Sequence, residues 1–371
     1  MTNLTQISSK QFLGAAMLIV TLALFLTVFG AGTALPQTRG YLTHTFDNIV
    51  SVIDPVTNTV VATIPVGSTP QAVAVTPNGA FVYVANQGSS DVSVISAATN
   101  TVVATVPVAG QPRGIAITPN GAFAYVTGVN AVSVINTATN TVAVTIPVIG
   151  FYVAVAITPS GDFAYTASTS GDVAVIDTAS NTVVATVPVG AALFGIAITP
   201  NGAFAYVTKI LNSQVSVIST ANNTVVATIT VGIGPFGVAI TPNGAFAYVS
   251  NSFGNTVSVI DTSSNTVVAT VTVGPNPKNL AIGPTGTSVY VPNSESLNSD
   301  SVSVISTATN TVVATVDAPD RPNAIAFSVT MQGPTNKDQC KNGGWQTFTN
   351  PPFKNQGQCI KFVDLMAELE H

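Results

Sequence analysis

The segment TPNGAFAYV at residues 118–126 decides the fold, because close copies of it recur along the chain. The copies are TPNGAFVYV (76–84), TPSGDFAYT (158–166), TPNGAFAYV again (199–207 and 241–249) and GPTGTSVYV (283–291). Within each copy, Pro at the second position and Gly at the fourth favour a β-turn, and the alternating residues that follow favour a β-strand. The recurrence predicts a repeat protein built from β-structure.

A second recurring motif, N-T-V, gives the period of the repeat. Its Asn residues are Asn58, Asn100, Asn140, Asn181, Asn223, Asn265 and Asn310, so the spacings are 42, 40, 41, 42, 42 and 45 residues. A period in the low forties with four short β-like runs is typical of a β-propeller blade, and the 3.6-residue pattern of a helical solenoid is absent. The sequence therefore predicts an all-β, seven-bladed β-propeller of four-stranded antiparallel blades.

One unit can be divided into four strands, named A to D from the centre outwards. They are A (113–117), B (122–126), C (131–135) and D (141–148). Strand D contains a Pro that is expected to protect the outer edge from pairing with other chains. This Pro recurs as Pro65, Pro107, Pro147 and Pro188.

The two ends of the repeat region complement each other. After residue 34 the chain begins with a strand B, GYLTH (40–44), and no strand A precedes it. The segment NAIAFS (323–328) is a strand A with nothing after it. We therefore predict that this C-terminal innermost strand completes the first blade and closes the ring.

The composition limits the classes of partner. Of the 371 residues only 7% are charged, and the net charge is −5. Because phosphate binding requires clustered Lys and Arg, nucleic acid is not an expected partner.

The N-terminal residues 1–34 are predicted to be a signal peptide. The run from Phe12 to Phe29 is almost wholly apolar, and Gly32-Thr33-Ala34 supplies the small residues of a cleavage site. The run is long for a signal peptide, so an uncleaved membrane anchor is the alternative, and it is the one membrane contact expected. Either interpretation places the propeller, residues 35–330, outside the cytoplasm, secreted or at the cell surface.

The last residues, 331–371, depart from the repeat and form a cysteine-containing tail. Cys340 and Cys359 are the only cysteines, and in an exported protein they are expected to form a disulfide. Trp345, Phe348 and Phe353 are expected to pack on the propeller or on a partner. We interpret the tail as a docking or attachment module.

The strand ends YVANQ (83–87), YVTG (125–128) and YVSN (248–251), together with VSVID and TNTVVATVPVG, resemble the YVTN family of seven-bladed β-propellers. That family occurs in secreted and surface-layer proteins of bacteria and archaea. The resemblance covers about residues 40–330 and implies the fold. Similar propellers include lactonases, lyases, quinoprotein and haem domains and binding scaffolds, so the function has to be argued from the site.

Sequence variation is confined to one face of the predicted ring. The A–B and C–D turns are nearly constant and should share one face, which we call the turn face. The B–C and D–A loops should share the other face, the loop face, and the B–C loops vary from TGVNA to PNSESLNSD. Binding residues are expected on variable loops of a rigid scaffold.

One position near the start of each strand A is predicted to lie at the mouth of a central channel. These mouth positions are Gln71, Arg113, Val153, Phe194, Phe236, Lys278 and Asn323. Arg321 and Lys209 add two further cations to the loop face, whereas Arg39 lies near the start of the mature chain. Two interpretations stay open: solubilising loop residues, or a shallow pocket for an anionic or polar ligand such as a sugar acid or a peptide carboxylate.

Candidates for catalysis are few. The histidines are His44 and His371, so neither a His-rich metal site nor a haem axial pair is expected, and no cofactor is predicted. Asp47 near His44 is a weak candidate for a general-base pair. A structural role, capping the turn after strand C, is the expected role of Asp54, Asp177 and Asp261.

Two functions therefore remain from the sequence. The preferred one is a non-enzymatic scaffold, expected to be monomeric, that binds a protein or glycan on its loop face. The alternative is a lactonase-like or lyase-like hydrolase with its site at the channel mouth.

Overall fold

The structure is a computed structural model that describes residues 38–190, 192–295, 300–318, 321–328, 337–341 and 355–361. The predicted signal or anchor segment (1–34) and the aromatic residues of the tail lie outside these ranges. The described residues belong to one compact unit that begins at Thr38. Among them, no helix has both the length and the apolar character needed to cross a membrane.

Antiparallel strands make up almost all of the described chain. The first are β1 (Arg39–His44), β2 (Ile49–Asp54), β3 (Thr59–Pro65), β4 (Pro70–Val75), β5 (Phe81–Asn86), β6 (Asp91–Ser96), β7 (Thr101–Pro107), β8 (Gly114–Ile117), β9 (Phe123–Thr127) and β10 (Val129–Asn136). The next are β11 (Thr141–Ile157), β12 (Phe163–Ser168), β13 (Asp172–Asp177), β14 (Thr182–Pro188), β15 (Leu193–Ile198), β16 (Phe204–Lys209), β17 (Gln214–Ser219) and β18 (Thr224–Thr230). The last are β19 (Pro235–Ile240), β20 (Phe246–Asn251), β21 (Thr256–Asp261), β22 (Thr266–Thr272), β23 (Ala281–Ile282), β24 (Ser288–Asn293), β25 (Ser301–Ser306), β26 (Thr311–Asp317) and β27 (Pro322–Ser328).

The strands form repeated four-stranded sheets. Their orders are β27-β1-β2-β3, β4-β5-β6-β7, β15-β16-β17-β18, β19-β20-β21-β22 and β23-β24-β25-β26, and the strands from β8 to β14 make one larger sheet in sequence order. The structure is therefore all-β, and its repeated antiparallel sheets have the architecture of a β-propeller.

The larger sheet departs from the predicted division into units. Strand D of one unit and strand A of the next were expected to be separate, but both belong to β11, which pairs first with β10 and then with β12. In the other units a residue two places before the mouth position adopts a left-handed conformation, such as Thr69 at φ 57°. Phe151 occupies this place in β11. The strand runs through it without interruption, and Gly150 just before it has a positive φ of 122°.

The predicted ring closure is confirmed. β27 pairs antiparallel with β1, with Tyr41 opposite Ala326. The Arg39 N–H donates to Ser328 Oγ at 2.9 Å, which adds a side-chain bond to the same pair of strands. The innermost strands contact one another in the cyclic order β27, β4, β8, β11, β15, β19, β23 and back to β27. The first and last repeats are thus joined through main-chain hydrogen bonds.

The constant turns satisfy their own polar groups. In the A–B turn of residues 118–121, Gly121 adopts φ 74° and Thr118 Oγ1 accepts the Phe123 N–H at 3.0 Å. In the C–D turns, Asp54 Oδ1 accepts the Val56 N–H at 2.8 Å. These hydrogen bonds lower the pKa of the Asp54 carboxyl. Asp177 and Asp261 cap their turns in the same way, as predicted.

A tyrosine–asparagine hydrogen bond joins neighbouring units at six junctions of the ring, whereas at the junction of the first and second units the Tyr41 hydroxyl and Asn100 Oδ1 have no hydrogen-bond partner among the described residues. The strand-B tyrosine hydroxyl donates to Oδ1 of the N-T-V asparagine one unit further on. The pairs are Tyr83–Asn140, Tyr125–Asn181, Tyr165–Asn223, Tyr206–Asn265, Tyr248–Asn310 and Tyr290–Asn58, with distances of 2.6 to 3.1 Å. The motif's asparagines all have φ between 52° and 55°, a left-handed conformation that Asn tolerates better than most residues. The asparagine therefore holds the left-handed position of its own turn and accepts the hydrogen bond from the neighbouring unit.

The tail keeps its predicted disulfide. Cys340 and Cys359 are bonded, with their Cα atoms 5.6 Å apart, and both are buried. Cys340 ends a short 3₁₀ helix, Lys337–Cys340. Residues 356–361 are helical.

We expect Tyr248→Phe to lower the free energy of unfolding by about 1 kcal/mol, because the hydroxyl donates to Asn310 Oδ1 at 2.7 Å. Tyr41→Phe is the matched control. Tyr41 holds the same repeat position and is fully buried, but its hydroxyl has no hydrogen-bond partner among the described residues. Removing it should leave stability unchanged or raise it. Urea unfolding midpoints decide the matter, and equal losses in both variants would contradict the role of the bond.

We also expect the fold to be lost at alkaline pH. Burial raises the pKa of Tyr83, Tyr125 and Tyr206 to about 12, against about 10 in an unfolded chain. The folded state therefore favours the neutral phenol, and this stabilisation is complete below about pH 10 and is lost as the pH rises towards 12. Circular dichroism and tyrosinate absorbance should change together in that window. Ionisation of all the tyrosines near pH 10 with the β-structure intact would contradict the raised pKa of the buried tyrosines.

Candidate functional site

The B–C and D–A loops lie on one face because each D–A linker is hydrogen-bonded to the B–C loop of the following unit. The Gln87 N–H donates to Thr69 O at 3.0 Å, and the Ile210 N–H donates to Ala192 O at 3.1 Å. The pair Ser252 and Gly234 repeats the contact at 2.8 Å. The loop face is therefore a continuous surface in which each variable loop rests on the linker that leads to a mouth position.

Irregular pairing displaces several mouth positions from the regular ladder. The register between strands A and B shifts from Pro70 to Ala72, and Gln71 lies within this interruption. The same shift brackets Val153, Phe194 and Phe236. A β-bulge bends its strand and re-aims one side chain, and bulges are common next to binding sites.

Small residues after the mouth positions let the inner strands approach closely. Glycine follows Arg113, Phe194 and Phe236. A Cβ added at Gly195 would lie 2.5 Å from the Phe236 carbonyl oxygen, and one at Gly114 would lie 2.8 Å from Ala154 Cα. These positions cannot hold a larger residue without moving the backbone, so the glycines keep the mouth positions close together.

Part of the mouth is polar. Gln71 Oε1 accepts from the Arg113 guanidinium at 3.3 Å and from Asn323 Nδ2 at 3.2 Å. Asn323 Nδ2 also donates to the Gln71 carbonyl oxygen at 2.6 Å. Gln71 and Asn323 are buried, and the Arg113 guanidinium lies 5.3 Å from the centre of the Phe151 ring. Three of the predicted site residues therefore form one connected group.

A second part of the mouth is aromatic. The ring centres of Phe194 and Phe236 are 5.0 Å apart, with their planes tilted by 39°. Lys278 Nζ lies 4.9 Å from the centre of the Phe236 ring. A cation over the face of an aromatic ring is held by the ring quadrupole. Lys278 is thus placed against the aromatic pair.

Arg321 belongs to the linker that leads to Asn323. Its guanidinium lies 4.3 Å from the centre of the Phe46 ring, and its backbone N–H donates to an Asp300 carboxylate oxygen. The backbone of Arg321 is left-handed, with φ 57°. The same place, two residues before the mouth position, is left-handed in most of the units, so this conformation belongs to the repeat.

The charges of Arg113 and Arg321 both act on Lys278, and we call these three residues the basic cluster. Burial lowers the pKa of Lys278, and the charges of Arg321 and Arg113 lower it further. Burial also lowers the pKa of Arg113. No carboxylate in the described ranges forms an ion pair with a side chain of this cluster. The side chains of the basic cluster can therefore accept an anion without displacing a carboxylate of the residues that the structure describes.

The structure brings the predicted site residues together in several small groups, whereas the sequence suggested one continuous pocket. Lys209 has no part in the basic cluster, and Val153 is a buried apolar residue. The aromatic partners Phe46 and Phe151 were missed. Phe46 could have been suspected as an aromatic residue in a B–C loop, where it is 60% exposed. Ligand binding by these residues stays a prediction.

The general-base pair of His44 and Asp47 stays a prediction. His44 is buried at the end of β1, and Asp47 lies in the loop that follows. Within the described part of the chain, no group of three or more His, Cys, Asp or Glu residues could hold a metal ion.

The sequence matches the family described as "Lactonase, 7-bladed beta-propeller" over residues 47–145 and 190–327. The chain is similar to "Kuenenia stuttgartiensis Hydrazine Synthase", with 26% identity, a TM-score of 0.66, and coverage of 72% of this chain and 92% of that one. It shares its fold with a functionally unknown protein from Desulfotomaculum acetoxidans DSM 771, at 20% identity and a TM-score of 0.68, over 78% of this chain and 98% of that one. No curated protein matches. The matched residues span most of the repeat region, and the chain belongs to the lactonase family of seven-bladed β-propellers.

Proposed function

We propose that this protein is an exported binding scaffold of the YVTN type that takes an anionic group of a protein or glycan at the mouth of its loop face. The observation that carries the proposal is the basic cluster. Three cations share one electrostatic environment, and no described carboxylate pairs with their side chains. Arginine binds carboxylates in a bidentate manner, and the aromatic pair offers a stacking surface for a sugar ring or an apolar side chain.

Seven blades are part of this proposal. The sheet from β8 to β14 divides at β11 into two units that share one continuous strand. With this division, the cyclic contacts of the innermost strands run through seven units. The recurrence of the N-T-V motif at seven places supports the same number.

Export is the remaining part of the proposal. The disulfide between Cys340 and Cys359 favours an oxidising compartment, because such bonds are rare in reducing cytosol. The apolar N-terminal run supplies the signal or anchor. The scaffold would then present its loop face outside the cytoplasm.

We expect the protein to bind a glucuronate-containing oligosaccharide, or a peptide with a free C-terminal carboxylate, more tightly than the matching neutral oligosaccharide or amidated peptide. Arg113→Ala and Lys278→Ala should each weaken binding at least about tenfold, because each removes a charged donor. Lys209→Ala is the control, since it removes a loop-face cation outside the basic cluster. Calorimetric titration measures these affinities. Equal affinity for charged and neutral probes would contradict the proposal.

Lactone hydrolysis is the second candidate, and the family match favours it. The matched ranges include every mouth position except Val153. Hydrolysis needs a group that can accept a proton from water, and Lys278 is suited to this because burial and two neighbouring cations lower its pKa. The carboxylate product would then be formed beside Arg113.

A panel of γ- and δ-lactones, followed by acid release at constant pH, tests the second candidate against the first. For a scaffold we expect no turnover above the uncatalysed rate. Turnover that is abolished in Arg113→Ala and Lys278→Ala but retained in Lys209→Ala would establish a hydrolase instead. Hydrolysis that survives both mouth variants would place the activity elsewhere on the chain.

A further inference from the structure

The backbone of Lys278 is held in place from several sides. Its N–H donates to Pro292 O at 2.8 Å, and the preceding Pro277 is bridged to Asn293. The next residue, Asn279, donates its N–H to Asn323 O at 3.0 Å on the neighbouring inner strand. The amine is therefore carried by a fixed segment between two strands, in contrast to an ordinary surface lysine on a mobile loop.

The environment of the Lys278 amine is unusual for a lysine. The side chain is half-buried, and Nζ lies against the face of Phe236. The amine makes no hydrogen bond or ion pair with any residue in the described ranges. The charges that affect the pKa of the amine are those of Arg321 and Arg113, which have the same sign as its own. Desolvation and like charge both favour the neutral amine.

An amine whose pKa is lowered gives up its proton more readily, and the neighbouring cations attract anionic carbonyl compounds. Lysines activated in this way, by desolvation or by a neighbouring cation, form Schiff bases with carbonyl substrates. We propose that Lys278 forms an imine with an aldehyde or ketone that carries an anionic group, and that Arg113 and Arg321 hold this group. The anion-binding part of this inference rests on the proposed function.

The proposed step requires no oxidant, reductant or further reactant. The Nζ lone pair attacks the carbonyl carbon, and the carbonyl oxygen takes up a proton to give a carbinolamine. Loss of the hydroxyl group as water, with the proton of the nitrogen, gives the imine. Water reverses the reaction. The adduct would thus be a reversible covalent complex with the ligand.

Reductive trapping tests the inference on the full chain. The protein is incubated at neutral pH with glyoxylate, the smallest aldehyde with a carboxylate, and cyanoborohydride supplies the hydride that fixes the imine. Peptide mapping by mass spectrometry then locates the adduct. We expect Lys278 to be modified at least about tenfold faster than Lys209, which lies on the same face outside the basic cluster. Equal rates at the two lysines would overturn the inference.

Two further experiments test the reactivity of the Lys278 amine and the binding of the anion independently. Lys278→Arg keeps the positive charge but has no amine, so it should retain binding of the glucuronate probe and lose the glyoxylate adduct. Butanal is a neutral aldehyde, so Arg113→Gln should slow its reaction at Lys278 only through the higher pKa of the amine, whereas the glyoxylate reaction should slow severalfold more.

The outcomes of these experiments are distinguishable. If butanal and glyoxylate react equally well at Lys278 and the glucuronate probe does not bind, the amine is a nucleophile and the proposed anion site fails. If the probe binds normally but neither aldehyde modifies Lys278, the imine inference is wrong and the proposed function stands.

Discussion

The hydrogen bond from a strand-B tyrosine to the N-T-V asparagine of the next unit is the side-chain interaction on which most junctions of the ring depend. It recurs at six junctions, and from Tyr290 to Asn58 it crosses from the last unit to the first. The same asparagine holds the left-handed position of its turn and accepts the tyrosine hydroxyl, so one residue serves both the turn conformation and the inter-unit contact. This double constraint accounts for a turn face whose sequence scarcely changes.

The loop face carries fewer repeated side-chain contacts. Its linkers and loops are joined largely through backbone atoms, as in the bond from Gln87 to Thr69 O, and side-chain bonds such as that from Ser252 Oγ to Pro277 O are added in single units. Most side chains there can therefore differ from unit to unit. The scaffold therefore separates the residues that maintain the ring from those available for binding, and the basic cluster lies on the side where variation is tolerated.

The sequence predicts the features that repeat. Period, strand order, capping aspartates and the closing strand follow from local patterns, and the pairing of Tyr41 with Ala326 confirms the last of these. The continuous β11 and the contacts of Phe46 and Phe151 could not be predicted, because each depends on one unit's departure from the pattern and on what the neighbouring unit places opposite. The partner of the tyrosine hydroxyl lies 56 to 62 residues away in five of the pairs and 232 residues away in the sixth, beyond the reach of local pattern.

The energetic balance of the basic cluster favours a ligand. Removing a charged side chain from water costs several kcal/mol, and the cluster recovers about 0.5 to 2 kcal/mol from each cation–aromatic contact. Gln71 satisfies one donor of Arg113 but brings no negative charge. The mutual repulsion of three cations adds to the cost. An anion that enters from solvent would provide a counter-charge that no carboxylate in the described ranges gives these side chains, and the close approach of the inner strands at their glycines keeps the cations near enough together to share it.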